Sequence, residues 1–261
     1  MSICEIFPLI AEYTSQGKEV VMVTELGKVQ RRSIFVDSRL VLGTKDHERY
    51  VALLGKERRV EVVNGDEKVV VERIDPRPSI ILVGSGVIAK EIYRLAKSLG
   101  FIVAVIAVDA REDDFPEANL FSNSGEVLGQ IAKDSFVVIA NEGGKPYDIP
   151  FAHIALKGEA KYVGFLSSQK RAAYTIAQLI KMGVPLEELK QRFYAPLGLD
   201  LNAKTAEEIA LSALAEVVKL FRGGSGKHLR EVKDPYKLVD DALQGKIEDN
   251  CNFVPKKVGK G

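Results

Sequence analysis

Tryptophan is absent, and the chain carries only two cysteines, Cys4 and Cys251, and three histidines, His47, His153 and His228. With neither cysteine in a CxxC pair, a redox dithiol and a multi-disulfide scaffold are excluded. Two spectator thiols are the expectation, and a single terminal disulfide is the alternative. No histidine has a neighbour at ligand spacing and no HExxH occurs, so a protein-ligated catalytic zinc is not expected. Charge of one sign is also missing: 37 basic side chains face 36 acidic ones for a net charge of +1, and no large field draws the chain to nucleic acid or anionic lipid. No apolar run reaches the roughly eighteen residues of a membrane span, and the opening MSICEIFPLIAEY is not built like a secretion signal. A cytoplasmic protein is the expectation. Scarce glutamine beside abundant lysine and glutamate leans toward a thermophilic source.

What remains is the make-up of a folded protein, 46% hydrophobic and 28% charged, with a change of rhythm near Arg77-Pro78. Residues 3–16 have helical spacing, with Ile3, Ile6, Phe7 and Ile10 near one face and Gly17 as a stop. Strand-like runs follow at 19–24, 33–36, 40–42, 59–63 and 68–74. Asp37-Ser38 and Asn64-Gly65-Asp66 read as turns, the latter between two Val-rich runs as in a hairpin. Residues 1–75 are therefore expected to form a small α+β domain with a mostly antiparallel sheet. Asp75-Pro76-Arg77-Pro78 can continue neither a helix nor a central strand.

From residue 78 to about 222, strands and helices alternate, which predicts an α/β domain of three layers with a parallel sheet and helical crossovers. Strands are expected at 79–83, 101–108, 119–122, 136–140 and 162–165, and helices at 87–99, 125–132, 151–157, 168–182, 186–193 and 205–221. Residues 223–261 read as an extension: Gly223-Gly-Ser-Gly-Lys227 lacks the spacing of a P-loop, 234–247 has one apolar helical set, and VPKKVGKG is a basic end.

Gly84-Ser85-Gly86-Val87-Ile88-Ala89 follows an apolar strand and opens an amphipathic helix. In such a turn the first glycine permits the tight bend, the second lets backbone approach a phosphate, and the small last residue lets helix and strand pack closely. Helix amides then point at the anion. Asp109, 23 residues after Gly86, is placed to accept hydrogen bonds from a ribose. Arg111 can pair with it or stack on a base. Loops after other parallel strands converge at the same end of a sheet, which adds Asn141 and Glu142, before Gly143-Gly144-Lys145. It also adds Ser167, Ser168 and Lys170, with Arg171, at a helix start. Solvated loop and cap roles are the alternative for each. Thr205 and Glu208 have the spacing of a capping box, and Asp200 is left open.

Three segments, taken in order, resemble the XdhC/CoxI family of xanthine dehydrogenase accessory proteins. They are Pro78 to Gly86 with Asp109-Ala-Arg111, Tyr162 to Arg171, and Pro196 to Glu216. The resemblance implies a Rossmann-like domain behind a smaller one, dimerisation, and carriage of molybdenum cofactor to a molybdenum hydroxylase such as a xanthine dehydrogenase-like enzyme. Val87 stands where the family commonly has histidine, and Ala140-Asn141-Glu142 where it often has threonine-histidine-aspartate. Binding and handing over this cofactor (molybdopterin), or a related phosphorylated heterocycle, is the expected function, as a homodimeric accessory protein without catalysis of its own. An NAD(P)-dependent oxidoreductase or nucleotide-binding redox sensor is the alternative, although Tyr162-x-x-x-Leu166 is not a Tyr-x-x-x-Lys pair.

Overall fold

In the computed structural model, which describes residues 3–27, 30–55, 57–64 and 67–247, the β-branched runs of the first third pair into one antiparallel sheet. Its elements are α1 (Ile3–Ser15), β1 (Val20–Leu26), β2 (Arg31–Val36), β3 (Arg39–Leu42), the single-turn α2 (Glu48–Val51), β4 (Arg59–Asn64) and β5 (Glu67–Ile74), with strand order β3-β2-β1-β5-β4. Asp37 and Ser38 take φ of 48° and 62°, a turn whose twist suits two antiparallel strands. Asn64 pairs with Glu67, so β4 and β5 form the expected hairpin, although Gly65 and Asp66 lie outside the described residues. Because side chains alternate across a strand, Val20 meets Ile6 and Ile10 of α1 on one face, while Val21 and Val23 meet Tyr50 and Leu54 on the other. Phe7, expected beside Ile6, is 62% exposed: α1 touches the sheet along a stripe too narrow to include it.

After the proline connector come β6 (Ser79–Val83), α3 (Val87–Ser98), β7 (Ile102–Ile106), β8 (Leu120–Ser122), α4 (Glu126–Ile131), β9 (Phe136–Ile139), α5 (Asp148–Lys157), β10 (Tyr162–Phe165), α6 (Gln169–Lys181), α7 (Leu186–Arg192), β11 (Phe193–Tyr194) and α8 (Ala206–Arg222). These strands pair in parallel in the order β8-β7-β6-β9-β10-β11, which is the 3-2-1-4-5-6 order of a Rossmann sheet. The central strands are apolar throughout because both faces are covered. Ile92 and Ala96 of α3 and Ala213 and Val217 of α8 cover one face; Leu128, Ala152, Ala155 and Leu179 of α4, α5 and α6 cover the other.

Three details depart from the periodicity. Leu99 caps the C-terminal end of α3 and is half exposed instead of inward. Helix α5 begins at Asp148, earlier than Phe151, because Pro150 falls in its first turn, where no backbone donor is needed. The two-residue β11 is too short to show any alternation.

The described residues divide into two compact units, one ending at Arg222 and the other beginning at Gly223. In the second, the single helix expected over 234–247 is a 3₁₀ turn (Pro235–Leu238) followed by the short α10 (Val239–Leu243), after a first short helix α9 (Leu229–Val232). Its apolar set is outside, with Leu243 81% exposed. Cys251 and the basic end lie outside the described residues, and the question of a Cys4–Cys251 bond with them. No described helix is long and apolar enough to cross a membrane.

Candidate functional site

The chain order of the sheet reverses between β6 and β9, and a crevice forms beyond the carboxyl ends of strands at such a switch point. Gly84 turns the chain there with φ of 139°, and a Cβ on it would stand 2.5 Å from Ala140 O. Only glycine accepts both constraints. Gly86 then begins α3 without a side-chain cap. The amide of Ile88 donates to Glu142 Oε1, and a Cβ on Gly86 would overlap the same carboxylate. One of the free donors at the head of α3 is thus met by an acid from the loop after β9.

That loop is anchored by a residue that periodicity did not single out. Asp148, 1% exposed at the head of α5, accepts from Asn141 Nδ2 (2.8 Å) on Oδ1, and from Lys145 N (2.8 Å) and Arg171 Nη2 (2.6 Å) on Oδ2. Gly143 and Gly144 have φ of 69° and 81°. The Arg171 guanidinium lies against Gly144 and over the Phe165 ring, 5.4 Å from its centroid. Ser168 caps α6 by accepting from Arg171 N (3.3 Å), and Ser167 Oγ lies 3.5 Å from Phe165 O. Together Ile88, Asn141, Glu142, Gly143, Leu166, Ser167, Ser168 and Arg171 line a cleft of about 420 Å³.

Beyond the cleft, past the end of β7, Asp109 accepts from Lys145 Nζ (3.2 Å) and Tyr147 OH (3.1 Å). The Lys145 hydrogen bond, then that of Tyr147, holds the carboxyl below its usual range. Burial, reinforced by the Asp109 hydrogen bond, pushes the Tyr147 hydroxyl up to about 12. Arg111 is exposed; its backbone amide donates to Asp114 Oδ2 (3.1 Å), and Asp114 pairs with Lys90 (2.7 Å).

Asn141, Glu142, Ser167 and Ser168 thus line the cleft, while the turn Gly84, Ser85, Gly86 lies outside its lining, with Gly84 against Ala140 and Gly86 against the Glu142 carboxylate. Val87 is 68% exposed in the first turn of α3. Asp109 and Arg111 stand outside the cleft lining, and the exposed Lys170 does too; its neighbour Arg171 enters instead. Sequence reading missed Asp148 and Tyr147. An acid at a helix start was the available signal, hidden by placing that start at Phe151.

The segment from Pro196 to Glu216 is a brace for the sheet. Glu216, buried on α8, accepts from Tyr162 OH (2.6 Å) and Gly198 N (3.1 Å). Burial, then the Glu216 charge, drives the Tyr162 hydroxyl well above its ordinary value. Thr205 and Glu208 form the reciprocal capping box, at 3.2 and 3.1 Å, and exposed Asp200 accepts from Asn202 N (3.4 Å). In the antiparallel sheet, Ser33 Oγ lies 2.9 Å from His47 Nδ1, and His47 Nε2 lies 2.9 Å from Glu25 Oε2. Arg31, then His47, keeps the Glu25 carboxyl low. Ser33 has no exposed surface and also accepts from Thr44 N (2.9 Å), so this trio is a structural tie, not a nucleophile. Among the described residues no group of three His, Cys, Asp or Glu side chains is placed to hold a metal ion.

Comparison with known proteins matches residues 80–217 to the family described as the XdhC Rossmann domain. The chain is 30% identical over 169 residues to "Uncharacterized protein YqeB" of Escherichia coli (strain K12), covering 61% of this chain and 30% of that protein. It is 25% identical over 160 residues to a Bacillus subtilis (strain 168) protein described as a probable xanthine dehydrogenase subunit, covering 57% of this chain and 44% of that protein. The chain thus matches less than half the length of either curated relative. A crystal structure from Bacillus halodurans, described as a xanthine dehydrogenase, superposes with a TM-score of 0.64 at 20% identity, covering 87% of this chain and 66% of that one. At that identity the likeness is one of fold.

Proposed function

The chain belongs to the XdhC family, matched across its Rossmann domain, and on that premise we propose that it is a non-catalytic accessory protein. It binds molybdenum cofactor, or a related phosphorylated heterocycle, as cargo and hands it to a molybdenum hydroxylase of the xanthine dehydrogenase type, working as a homodimer. The observation that carries this reading is that the family match over 80–217 takes in every residue that lines the cleft, from Ile88 to Arg171, together with the glycine turn just before it. The Bacillus subtilis relative, described as part of a probable xanthine dehydrogenase, supports the partner class.

The donors present suit a phosphorylated cargo. The turn Gly84-Ser85-Gly86-Val87 brings backbone and the head of α3 to a phosphate, with Ser167 and Ser168 hydroxyls at the head of α6 and Arg171 across the cleft. Asn141, and Glu142 once its carboxylate has turned off the head of α3, orient polar ring edges. Asp109, with Arg111 nearby, receives a hydroxyl pair or ring amide, and Lys170 adds positive charge at the rim. A handover requires binding that can be reversed, and an exposed cleft allows it.

The test is to purify the protein from a host that makes molybdenum cofactor and to identify released small molecules by mass and absorbance. A recovered pterin is expected. An adenine nucleotide without pterin would overturn the reading. That outcome would favour the second one, a nicotinamide-nucleotide binding protein, which draws on the 3-2-1-4-5-6 strand order and on Asp109 past the end of β7.

A further inference from the structure

We propose that the Glu142 carboxylate is a built-in occupant of the anion position at the glycine turn, which a phosphate-bearing ligand has to displace. The proposal rests on the reading above that this turn receives a phosphate, and it names what controls that step. Glu142 Oε1 accepts from the Ile88 amide, while its carboxylate covers Gly86 where a Cβ would stand. These are the two features through which a glycine turn receives phosphate: a free amide at the helix head, and glycine backbone open to close approach. A carboxylate and a phosphate cannot share that space, both because of their volume and because like charges repel.

The surroundings allow exchange. Glu142 is an exposed residue, and the hydrogen bond recorded for its side chain is that from Ile88, across 54 residues of sequence. The loop beneath it is pinned separately through Asp148, which holds Asn141, Lys145 N and Arg171. Rotating one side chain therefore opens the turn while the loop stays in place. Gly143 and Gly144, with φ of 69° and 81°, follow immediately and add no bulk. The consequence is selectivity: small inorganic anions gain too little to expel the carboxylate, whereas a larger ligand adds contacts with Ser167, Ser168 and Arg171.

The experiment is calorimetric titration of the full chain with inorganic pyrophosphate and with ADP as probes. The proteins compared are wild type, Glu142→Gln, Glu142→Ala and the double variant Glu142→Ala/Gly86→Ala. Glu142→Ala is expected to bind both probes at least about tenfold more tightly than wild type, an order of magnitude suited to removing one opposing charge. Glu142→Gln, which keeps an acceptor for Ile88 without the charge, falls between. Adding Gly86→Ala, whose methyl enters the vacated space, should cancel the gain. Pyrophosphate should also raise the melting temperature of Glu142→Ala more than that of wild type. A residue that only caps α3 would lower the melting temperature without any anion-dependent recovery. Equal or weaker probe binding in both Glu142 variants, no binding in any protein, or a gain that survives Gly86→Ala overturns the proposal. Pterin recovered without any Glu142 effect sinks this inference alone. A Glu142 effect with no pterin sinks the cofactor reading and leaves the displacement mechanism standing.

Discussion

Replacing Asp148 by alanine removes the anchor of the cleft, and the loss can be worked from its three partners. Asn141 is 4% exposed, so its amide is left as an unpaired buried donor. That costs about 1–3 kcal/mol. The Arg171 side chain is 28% exposed and water reaches it, so the lost ion pair adds only about 1 kcal/mol. Lys145 is an exposed residue, and its backbone amide is easily hydrated. The sum is about 3 kcal/mol, which for a unit of this size lowers the melting temperature by about 6–12 °C. Asp148→Asn is expected to recover little, because its amide nitrogen turns a donor toward Asn141, Lys145 N or Arg171. Thermal unfolding by circular dichroism measures the shift, and a double-mutant cycle with Arg171→Ala isolates the ion pair. If Asp148→Ala melts within about 2 °C of wild type, the anchor is not what holds this loop and the reasoning fails.

Asp109 has a folded-state pKa below the 3.8 of a free carboxyl. Its pairing therefore contributes above that value and is lost as pH falls through the folded pKa, in the acid range below about 4. Lys145→Met should move the Asp109 titration upward in carboxyl-carbon NMR, and an unchanged titration would remove Lys145 as the main cause. Gly84→Ala combines a φ of 139° with a methyl 2.5 Å from Ala140 O. A loss of about 1–3 kcal/mol is expected, read as a lower denaturant midpoint at unchanged slope; wild-type stability would contradict the tight-turn requirement. Tyr162→Phe leaves Glu216 buried with Gly198 N as its recorded donor. A destabilisation of about 1–2 kcal/mol follows, and combining it with Glu216→Gln should cost less than the two single losses added.

The Rossmann half was legible because its signals are local. Ile80–Val83 are apolar because both faces of a central parallel strand are covered, and Ile92 and Ala96 recur at helical spacing because α3 buries one side. Gly84 and Gly86 announce themselves because a tight turn and a close approach exclude other residues. The N-terminal strands were visible for the same reason, through alternation and hairpin turns. Where a segment packs little, the same patterns mislead: Phe7 and the apolar set of 236–247 keep helical spacing yet stand exposed. A pattern states which side could be buried, and only a partner decides whether it is.

The sequence by itself determined the alternation of strands and helices, the glycine turn, the acid beyond the second parallel strand, and the loops that must meet at one end of the sheet. All of these depend on neighbours a few residues apart. Only the tertiary structure decided that Asp148 ties Asn141 to Arg171, that Arg171 and not Lys170 lines the cleft, that Lys145 and Tyr147 hold Asp109, and that Glu142 sits on the head of α3. Each joins residues from separate loops, and which of several equally polar side chains meets another depends on distances set by strand order and helix rotation, which no local spacing encodes.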